Sequence, residues 1–321
     1  MAVYTQVEKE SLVAFLEAYD IGTLTHYEGI AEGVENTNYV LHTTTGKYIL
    51  TLYEKRVNVD DLPFFLGLMG HLSNKDIVCP QIIRRRNNSL YAPLENRYAA
   101  ITSFLPGKWV AKTNAKHCKQ VGEIMALMHL AAQDYEILRK NTLSIQNWRP
   151  LWEKVKEKAP LLQEGLSENI ESSLLLLEKQ WPKFLPEGII HADLFNDNVF
   201  FIDDILSGVI DFYFACHDYL AYDVAIALNA WCFTEDHQYD LLKAQNLLSG
   251  YQEIRPLTLE EKEFLPILAQ GAAMRFFLTR AYDWFYIPNT GLVMKKDPLE
   301  YFKRLKFFRS INKEHEIGLL A

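Results

Sequence analysis

Residues 189–214 read IIHADLFNDNVFFIDDILSGVIDFYF, and this stretch decides the fold. Two short apolar runs enclose a polar loop, and a third apolar run ends on an acid. The pattern predicts three β-strands joined by a loop and a turn. Three oxygen-bearing side chains lie in the loop and at the end of the third run: Asp193, Asn198 and Asp211. We expect the strands to direct these side chains toward one place.

A carboxylate, an amide and a second carboxylate suit phosphoryl transfer from a nucleotide. That reaction needs a group that orients the attacking hydroxyl, and hard oxygen ligands that hold magnesium against the phosphates. We predict that Asp193 is the catalytic base and that Asn198 and Asp211 are the metal ligands. Asp and Asn are also the usual turn residues. A turn is the better interpretation for Asp203 and Asp204, which lie between two apolar runs.

The order H-x-D-x-x-x-x-N, followed by an apolar strand and I-D-F, resembles the catalytic loop and metal-binding aspartate of the protein-kinase-like superfamily. In its small-molecule branch the loop typically begins His-Gly-Asp, and here it reads His191-Ala192-Asp193. Protein kinases have arginine between the His and the Asp, so the chain is more similar to the small-molecule branch. The resemblance implies ATP and Mg²⁺ as cofactors. We interpret His191 as a structural loop residue rather than a base or a metal ligand.

Composition limits the class of protein. The chain has 321 residues, of which 49% are hydrophobic, and this length is enough for two lobes with a sizeable core. Its net charge of -8 argues against nucleic acid or an anionic membrane as the main partner. The four cysteines are far apart and suggest no disulfide framework. The N-terminus resembles neither a signal peptide nor a membrane span, so we expect a cytoplasmic enzyme.

The whole pattern predicts a bilobal α+β fold of the protein-kinase-like type, with an antiparallel-sheet N-terminal lobe and a mainly helical C-terminal lobe. We expect a nucleotide-binding lobe over residues 1–104 and a catalytic and acceptor-binding lobe over residues 105–321. Hydrophobic periodicity predicts the elements of the first lobe in this order: a helix over residues 5–19, three antiparallel strands within residues 24–53, a helix after Asp61, and strands over residues 82–85 and 98–104.

Two features of the first lobe are expected to contact the nucleotide phosphates. Residues 29–36 form a glycine-bearing hairpin loop, which taken alone is ordinary turn chemistry. With the residues that follow, it resembles the G-x-x-N-x-x-Y-x-V segment of small-molecule kinases, which implies phosphate contacts for Gly33 and Asn36. Thr51 occupies the slot where this lobe carries a lysine in kinases. Lys55 is our candidate for the displaced cation, although a solvated surface lysine is its alternative.

Two further features of this lobe are predicted to have a function: the peptide that joins the lobes and the acids before the second helix. The peptide that joins the lobes includes Ser103 and Leu105, and its position resembles the kinase hinge, which implies backbone hydrogen bonds to adenine. A Pro-Gly pair at 106–107 is also typical of a plain linker. The helix after Asp60 and Asp61 has no interior glutamate to pair with a lysine. Either acid is a candidate substitute, and charge at a helix N-terminus is the alternative.

In the second lobe, three charged residues fall within apolar helical patterns. Asp223 is predicted either to brace the catalytic loop or to cap a helix. Arg275 and Arg280 either pair with acids of the protein or bind an anionic group of the acceptor.

Longer stretches narrow the resemblance: TLYEKRV, DLPFFLGLM, HADLFNDNVFF, IDFYFACHDYLAYDV and RFFLTRAYDW. They closely resemble the homoserine kinases of the aminoglycoside-phosphotransferase-like type. This resemblance, and not the spacing of the catalytic residues, implies ATP-dependent phosphorylation of the side-chain hydroxyl of L-homoserine, a step toward threonine. The acceptor has a carboxylate, for which Arg275 and Arg280 are the candidate partners.

Three alternatives remain open at this point. A kinase acting on choline, an aminoglycoside or another amino alcohol would keep every catalytic residue. A metal-dependent phosphohydrolase would use the same acids and release phosphate without an acceptor alcohol. A silent nucleotide-binding scaffold is suggested by Thr51 and by the missing glutamate, and acceptor-dependent ADP production would exclude it.

Overall fold

The computed structural model of the chain describes residues 4–30, 36–54, 57–287, 295–311 and 314–319. Its N-terminal strands are β1 (Leu24–Gly29), β2 (Thr37–Thr43), β3 (Lys47–Tyr53), β4 (Ile82–Ile83), β5 (Ala92–Leu94) and β6 (Arg97–Ser103). They form one antiparallel sheet in the order β1-β2-β3-β6-β4, with β5 paired to β6. The three predicted strands within residues 24–53 are confirmed, and β5 is an additional strand that the pattern did not predict.

Helices dominate the rest of the chain. In chain order they are α1 (Lys9–Leu16), α2 (Leu62–Ser73), α3 (Ala115–Ala131), α4 (Ile145–Val155), α5 (Leu166–Gln180), α6 (Leu220–Trp231), α7 (Leu241–Ile254), α8 (Leu259–Tyr286) and α9 (Pro298–Ser310). The predicted α+β fold, with an antiparallel sheet first and mainly helices after it, is confirmed.

Four short strands stand among these helices: β7 (Glu187–Ile190), β8 (Val199–Ile202), β9 (Ile205–Val209) and β10 (Cys216–Tyr219). Strands β8 and β9 form a hairpin, and β7 pairs with β10. The hairpin turn is made by Asp203 and Asp204, whose φ values of 49° and 60° are those of a turn that matches strand twist. Their interpretation as turn residues is confirmed.

The buried apolar side chains fall into two clusters. Helix α1 packs on the N-terminal sheet around residues such as Leu12 and Leu50. The larger cluster joins the later helices and strands β7 to β10, and it also contains most of α2, from Leu62 to Leu72. Helix α2 is apolar on nearly every side, which is why it is buried between the sheet and the C-terminal lobe. Among the described residues, no helix combines the length and apolar character needed to cross a bilayer.

Candidate active site

The loop between β7 and β8 carries Asp193 and Asn198, which contact each other. The amide nitrogen of Asn198 donates to the main-chain oxygen of Asp193 over 2.8 Å and lies 3.4 Å from its carboxylate Oδ2. Since Asn198 is buried and immediately precedes β8, this contact fixes the shape of the loop. The loop therefore presents the Asp193 carboxyl group in a defined direction.

Strand pairing brings Asp211 to the same place. Val199 pairs with Val209 in the β8–β9 hairpin, and the N–H of Ile210 donates to the Asn198 carbonyl over 3.0 Å. Asp211 follows directly, with a left-handed φ of 64° that turns the chain away from the hairpin. The hairpin thus joins the three oxygen-bearing residues of the sequence pattern at one end of β8 and β9.

His191 is held between the two halves of this site. Its Nε2 lies 3.0 Å from the Ile210 carbonyl, and its Nδ1 lies 3.3 Å from the N–H of Asp193. A carbonyl requires a donor and an N–H requires an acceptor, so the ring is neutral with its proton on Nε2. Burial lowers the pKa of His191 below its ordinary 6.5. Its interpretation as a structural residue is confirmed.

This neutral histidine predicts a pH dependence of stability. Because its folded-state pKa lies below 6.5, the unfolded chain binds the proton more readily, and stability falls as pH decreases below about 6.5. The largest slope from one such group is about 1.4 kcal/mol per pH unit. We expect His191→Gln to show a weaker fall in the free energy of unfolding between about pH 7.5 and 5.5 in denaturant titrations. His26→Gln removes an exposed histidine and should keep the wild-type slope; equal slopes for both variants would contradict the assignment.

Ala192 adopts a conformation that normally favours glycine. Its φ is 62°, and its N–H and C=O are both used: the N–H donates to Asp223 Oδ1 over 2.8 Å, and the carbonyl accepts from Arg275 Nη1 over 2.6 Å. The left-handed region is strained for alanine and is readily adopted by glycine. Asp223 from α6 and Arg275 from α8 hold the strained residue directly before Asp193.

Asp223 has three donors around one fully buried carboxylate. Besides Ala192, it accepts from the N–H of His191 over 2.9 Å and from Nε2 of His129 over 3.1 Å. Burial alone would raise its pKa, but hydrogen bonds and charge from His129, with the His191 N–H, hold the pKa below 3.8. The N-cap of α6 is Tyr219. Of the two predicted roles, the structure supports the brace of the catalytic loop.

The two arginines of α8 lie in contacts within the protein. Arg275 is 2% exposed and donates to the catalytic loop, with its guanidinium 4.5 Å from the centre of the Phe276 ring. Arg280 pairs with Glu300 and donates to the Asp297 carbonyl over 3.2 Å. Arg280 shows the pairing with an acid that was the alternative to substrate binding, whereas Arg275 donates to a main-chain carbonyl. A role for either arginine at the acceptor carboxylate stays a prediction.

The predicted phosphate contacts of the N-terminal lobe are only partly described. Gly33 and Lys55 lie outside the described residues. Asn36 is buried, and its Oδ1 accepts from the N–H of Glu54 over 3.2 Å, which ties the start of β2 to the end of β3. Thr51 lies on β3, and its hydroxyl donates to Asn38 Oδ1 over 2.7 Å.

The predicted hinge peptide is held in place at both ends. Ser103 exchanges hydrogen bonds with Gln81, because its N–H donates to the Gln81 carbonyl and its hydroxyl accepts from the Gln81 N–H. The Ser103 N–H is therefore committed to the protein, and Leu105 is the better candidate for adenine. Gly107 has φ 108°, and a Cβ there would lie 2.3 Å from Ser207 Oγ. Only glycine fits where the linker crosses the β8–β9 hairpin.

Sequence reasoning missed Arg139, which links the start of α2 to the segment after Asp211. Its Nε donates to Asp61 over 2.7 Å and its Nη1 to the Ala215 carbonyl over 3.1 Å. The guanidinium also lies 4.9 Å from the centre of the Phe65 ring. Asp61 therefore pairs with an arginine of the large lobe. No local pattern signals this contact, because Arg139 lies 78 residues from Asp61.

Removing this link should lower stability modestly. Asp61→Asn leaves the Arg139 charge without its carboxylate partner, and we expect the free energy of unfolding to fall by roughly 1–2 kcal/mol, since the pair is partly exposed. Asp60→Asn is the matched control, because Asp60 is exposed, and it should behave as wild type. Chemical denaturation of both variants measures the difference; a loss in Asp60→Asn as large as in Asp61→Asn would contradict the role given to Arg139.

Comparison with known proteins gives the family. The model of the family described as "Phosphotransferase enzyme family" matches residues 26–257. The chain belongs to this phosphotransferase family. A homoserine kinase of Sinorhizobium medicae is 56% identical over 319 residues, which cover 99% of this chain and 98% of that protein. A homoserine kinase of Agrobacterium fabrum is 55% identical and covers 99% of both chains.

Solved structures of distant relatives share the fold. The structure of an amicoumacin kinase, determined with AMP-PNP and Ca²⁺, matches with a TM-score of 0.68 at 14% identity. The match covers 97% of this phosphotransferase and 93% of the amicoumacin kinase. A choline kinase from Cryptosporidium parvum has a TM-score of 0.67 at 15% identity and covers 94% of both chains. These structures confirm the predicted fold, and the family match with the homoserine kinase relatives confirms the predicted resemblance to small-molecule kinases.

Proposed function

We propose that this phosphotransferase uses ATP to phosphorylate the side-chain hydroxyl of L-homoserine, which gives O-phospho-L-homoserine and ADP. The observation that carries the proposal is the 56% identity with a homoserine kinase over nearly the full length of both proteins. The reaction is a step toward threonine. We also propose that the protein is cytoplasmic, that its substrate is a small molecule and that it has no nucleic-acid partner.

Asp193 acts on the acceptor in this mechanism. Its carboxylate is oriented by the amide of Asn198 and by the loop that Asp223 and Arg275 brace. As the homoserine oxygen attacks the γ-phosphorus, Asp193 accepts or orients the hydroxyl proton. The new oxygen–phosphorus bond forms while the bond from that phosphorus to the ADP oxygen breaks.

The donor atoms around Asp193 fit a magnesium ion. The amide nitrogen of Asn198 faces an acceptor, so its oxygen is the atom left to ligate a cation. Asp211 adds a carboxylate on the adjoining chain segment. Mg²⁺ prefers such hard oxygen donors and takes its remaining ligands from phosphates and water. When bound, the ion supplies positive charge that neutralises the β- and γ-phosphates.

The remaining nucleotide contacts are assigned to the N-terminal lobe. We assign the phosphate contacts to Gly33 and Asn36, with Lys55 as the candidate cation. Adenine lies at the hinge beside Leu105. A site between the two lobes excludes water from the transfer.

An acceptor panel tests this function. We expect ADP release from ATP and Mg²⁺ with L-homoserine, and none with L-2-aminobutyrate, which lacks only the hydroxyl. Choline, L-serine and an aminoglycoside test the other acceptors. Faster turnover with one of these would replace homoserine as the substrate. Phosphate release without any alcohol would indicate a phosphohydrolase, and no ADP with any acceptor would indicate a silent scaffold.

A further inference from the structure

Tyr213 lies two residues after Asp211 and reaches the N-terminal lobe. Its phenol oxygen is 3.2 Å from that of Tyr53 at the end of β3. Its ring packs edge to face on Tyr53 and on Phe65 of α2, with centroid distances of 5.4 Å and 5.7 Å. The segment that carries Asp211 therefore contacts both the sheet and α2 through one side chain.

Thr51 lies on β3 two residues before Tyr53, and its side chain is tied to β2. It is 5% exposed, and its hydroxyl donates to Asn38 Oδ1 over 2.7 Å. Asn38 and Thr51 are also direct partners in the β2–β3 pairing.

The negative charge of Asp211 acts on both phenols. Burial raises the pKa of Tyr213 to about 12, and the charge of Asp211 acts in the same direction. Burial also raises the pKa of Tyr53 well above its ordinary value, again with a contribution from Asp211. The Tyr53–Tyr213 contact is therefore a hydrogen bond between two neutral phenols near neutral pH.

We propose that Tyr213 is a positioning residue that, through its contact with Tyr53, holds the Asp211 segment against β3. The inference rests on the proposed function, because it assumes that nucleotide and metal bind between β3 and Asp211. In protein kinases a lysine on the third strand contacts the phosphates. Here the side chain at that strand position, Thr51, is hydrogen-bonded to Asn38 within the sheet, and the Tyr53–Tyr213 contact joins the end of β3 to the Asp211 segment. The function of that contact is to fix the distance between the metal-binding carboxylate and the sheet.

Removing single oxygen atoms tests the Tyr53–Tyr213 contact. Tyr213→Phe keeps the ring contacts and loses the phenol oxygen. The loss of this hydrogen bond should raise the half-saturating Mg²⁺ concentration and the KM for ATP by roughly threefold to tenfold, while the KM for the acceptor stays within about twofold. Tyr53→Phe breaks the same bond, so the double variant should be little worse than Tyr213→Phe.

Tyr239→Phe is the matched control. The Tyr239 phenol donates to the Ile317 carbonyl over 2.8 Å, in the C-terminal core where its ring stacks on Phe307. The same atom is lost there, so Tm should fall by a similar amount without a change in the Mg²⁺ requirement. If Tyr213→Phe and Tyr53→Phe lower Tm as Tyr239→Phe does but leave the Mg²⁺ and ATP constants within about twofold of wild type, the role is structural only and the proposal is wrong.

Calorimetric binding of ADP with Mg²⁺ by Tyr213→Phe gives a second, independent test. We expect weaker binding than in wild type, and binding as tight as that of wild type would overturn the proposal. Because this measurement needs no acceptor, it separates a failure of the proposal from an error in the proposed substrate.

Discussion

Asp193→Asn is expected to give a folded protein that binds nucleotide and turns over roughly 100- to 10,000-fold more slowly. The amide keeps the size of the carboxylate but cannot accept the acceptor's proton. The Asn198 contact to the main-chain oxygen of residue 193 remains, so the loop should keep its shape. Steady-state ADP release measures turnover, and calorimetry with ADP and Mg²⁺ measures binding.

Asp197→Asn is the control for this result. Asp197 lies in the same loop, is exposed and pairs only loosely with Lys296 over 3.8 Å. The two variants change net charge equally, so a general electrostatic effect would slow both. Near-normal turnover by Asp193→Asn, or an equal loss in Asp197→Asn, would remove Asp193 from the proposed mechanism.

Asp223→Ala should produce the largest loss of stability, roughly 3–5 kcal/mol. The change leaves the N–H groups of His191 and Ala192 and the ring of His129 without their buried acceptor. Because the folded-state pKa of Asp223 lies below 3.8, this contribution is present above about pH 4 and is lost as pH falls through the folded value. Denaturant unfolding at pH 7 measures the loss.

Asp240→Ala separates this role from helix capping. The Asp240 side chain accepts from the N–H of Lys243 as the N-cap of α7, so its loss should cost about 1 kcal/mol. If Asp223→Ala were no more costly than Asp240→Ala, the carboxylate would not be bracing the catalytic loop. A variant such as Asp223→Asn that still folds should also lose turnover, since Ala192 leads directly to Asp193.

Relations between residues close in sequence were predictable. The hairpin, its Asp203-Asp204 turn and the three oxygen-bearing residues all lie within residues 189–214, where strand periodicity and turn chemistry act over short distances. The pattern also showed that position 192 holds alanine in place of the usual glycine. It did not show how that residue is held in a left-handed conformation.

The sequence by itself determined the α+β fold, the resemblance to a family and the set of catalytic candidates, because each of these depends on local periodicity or spacing. Only the tertiary structure decided that Asp223 and Arg275 brace Ala192 and that Tyr213 meets Tyr53. These partners are 31, 83 and 160 residues apart in the chain. Side chains that far apart meet only when helices and strands pack, and no local pattern of residue types encodes which of them will be neighbours.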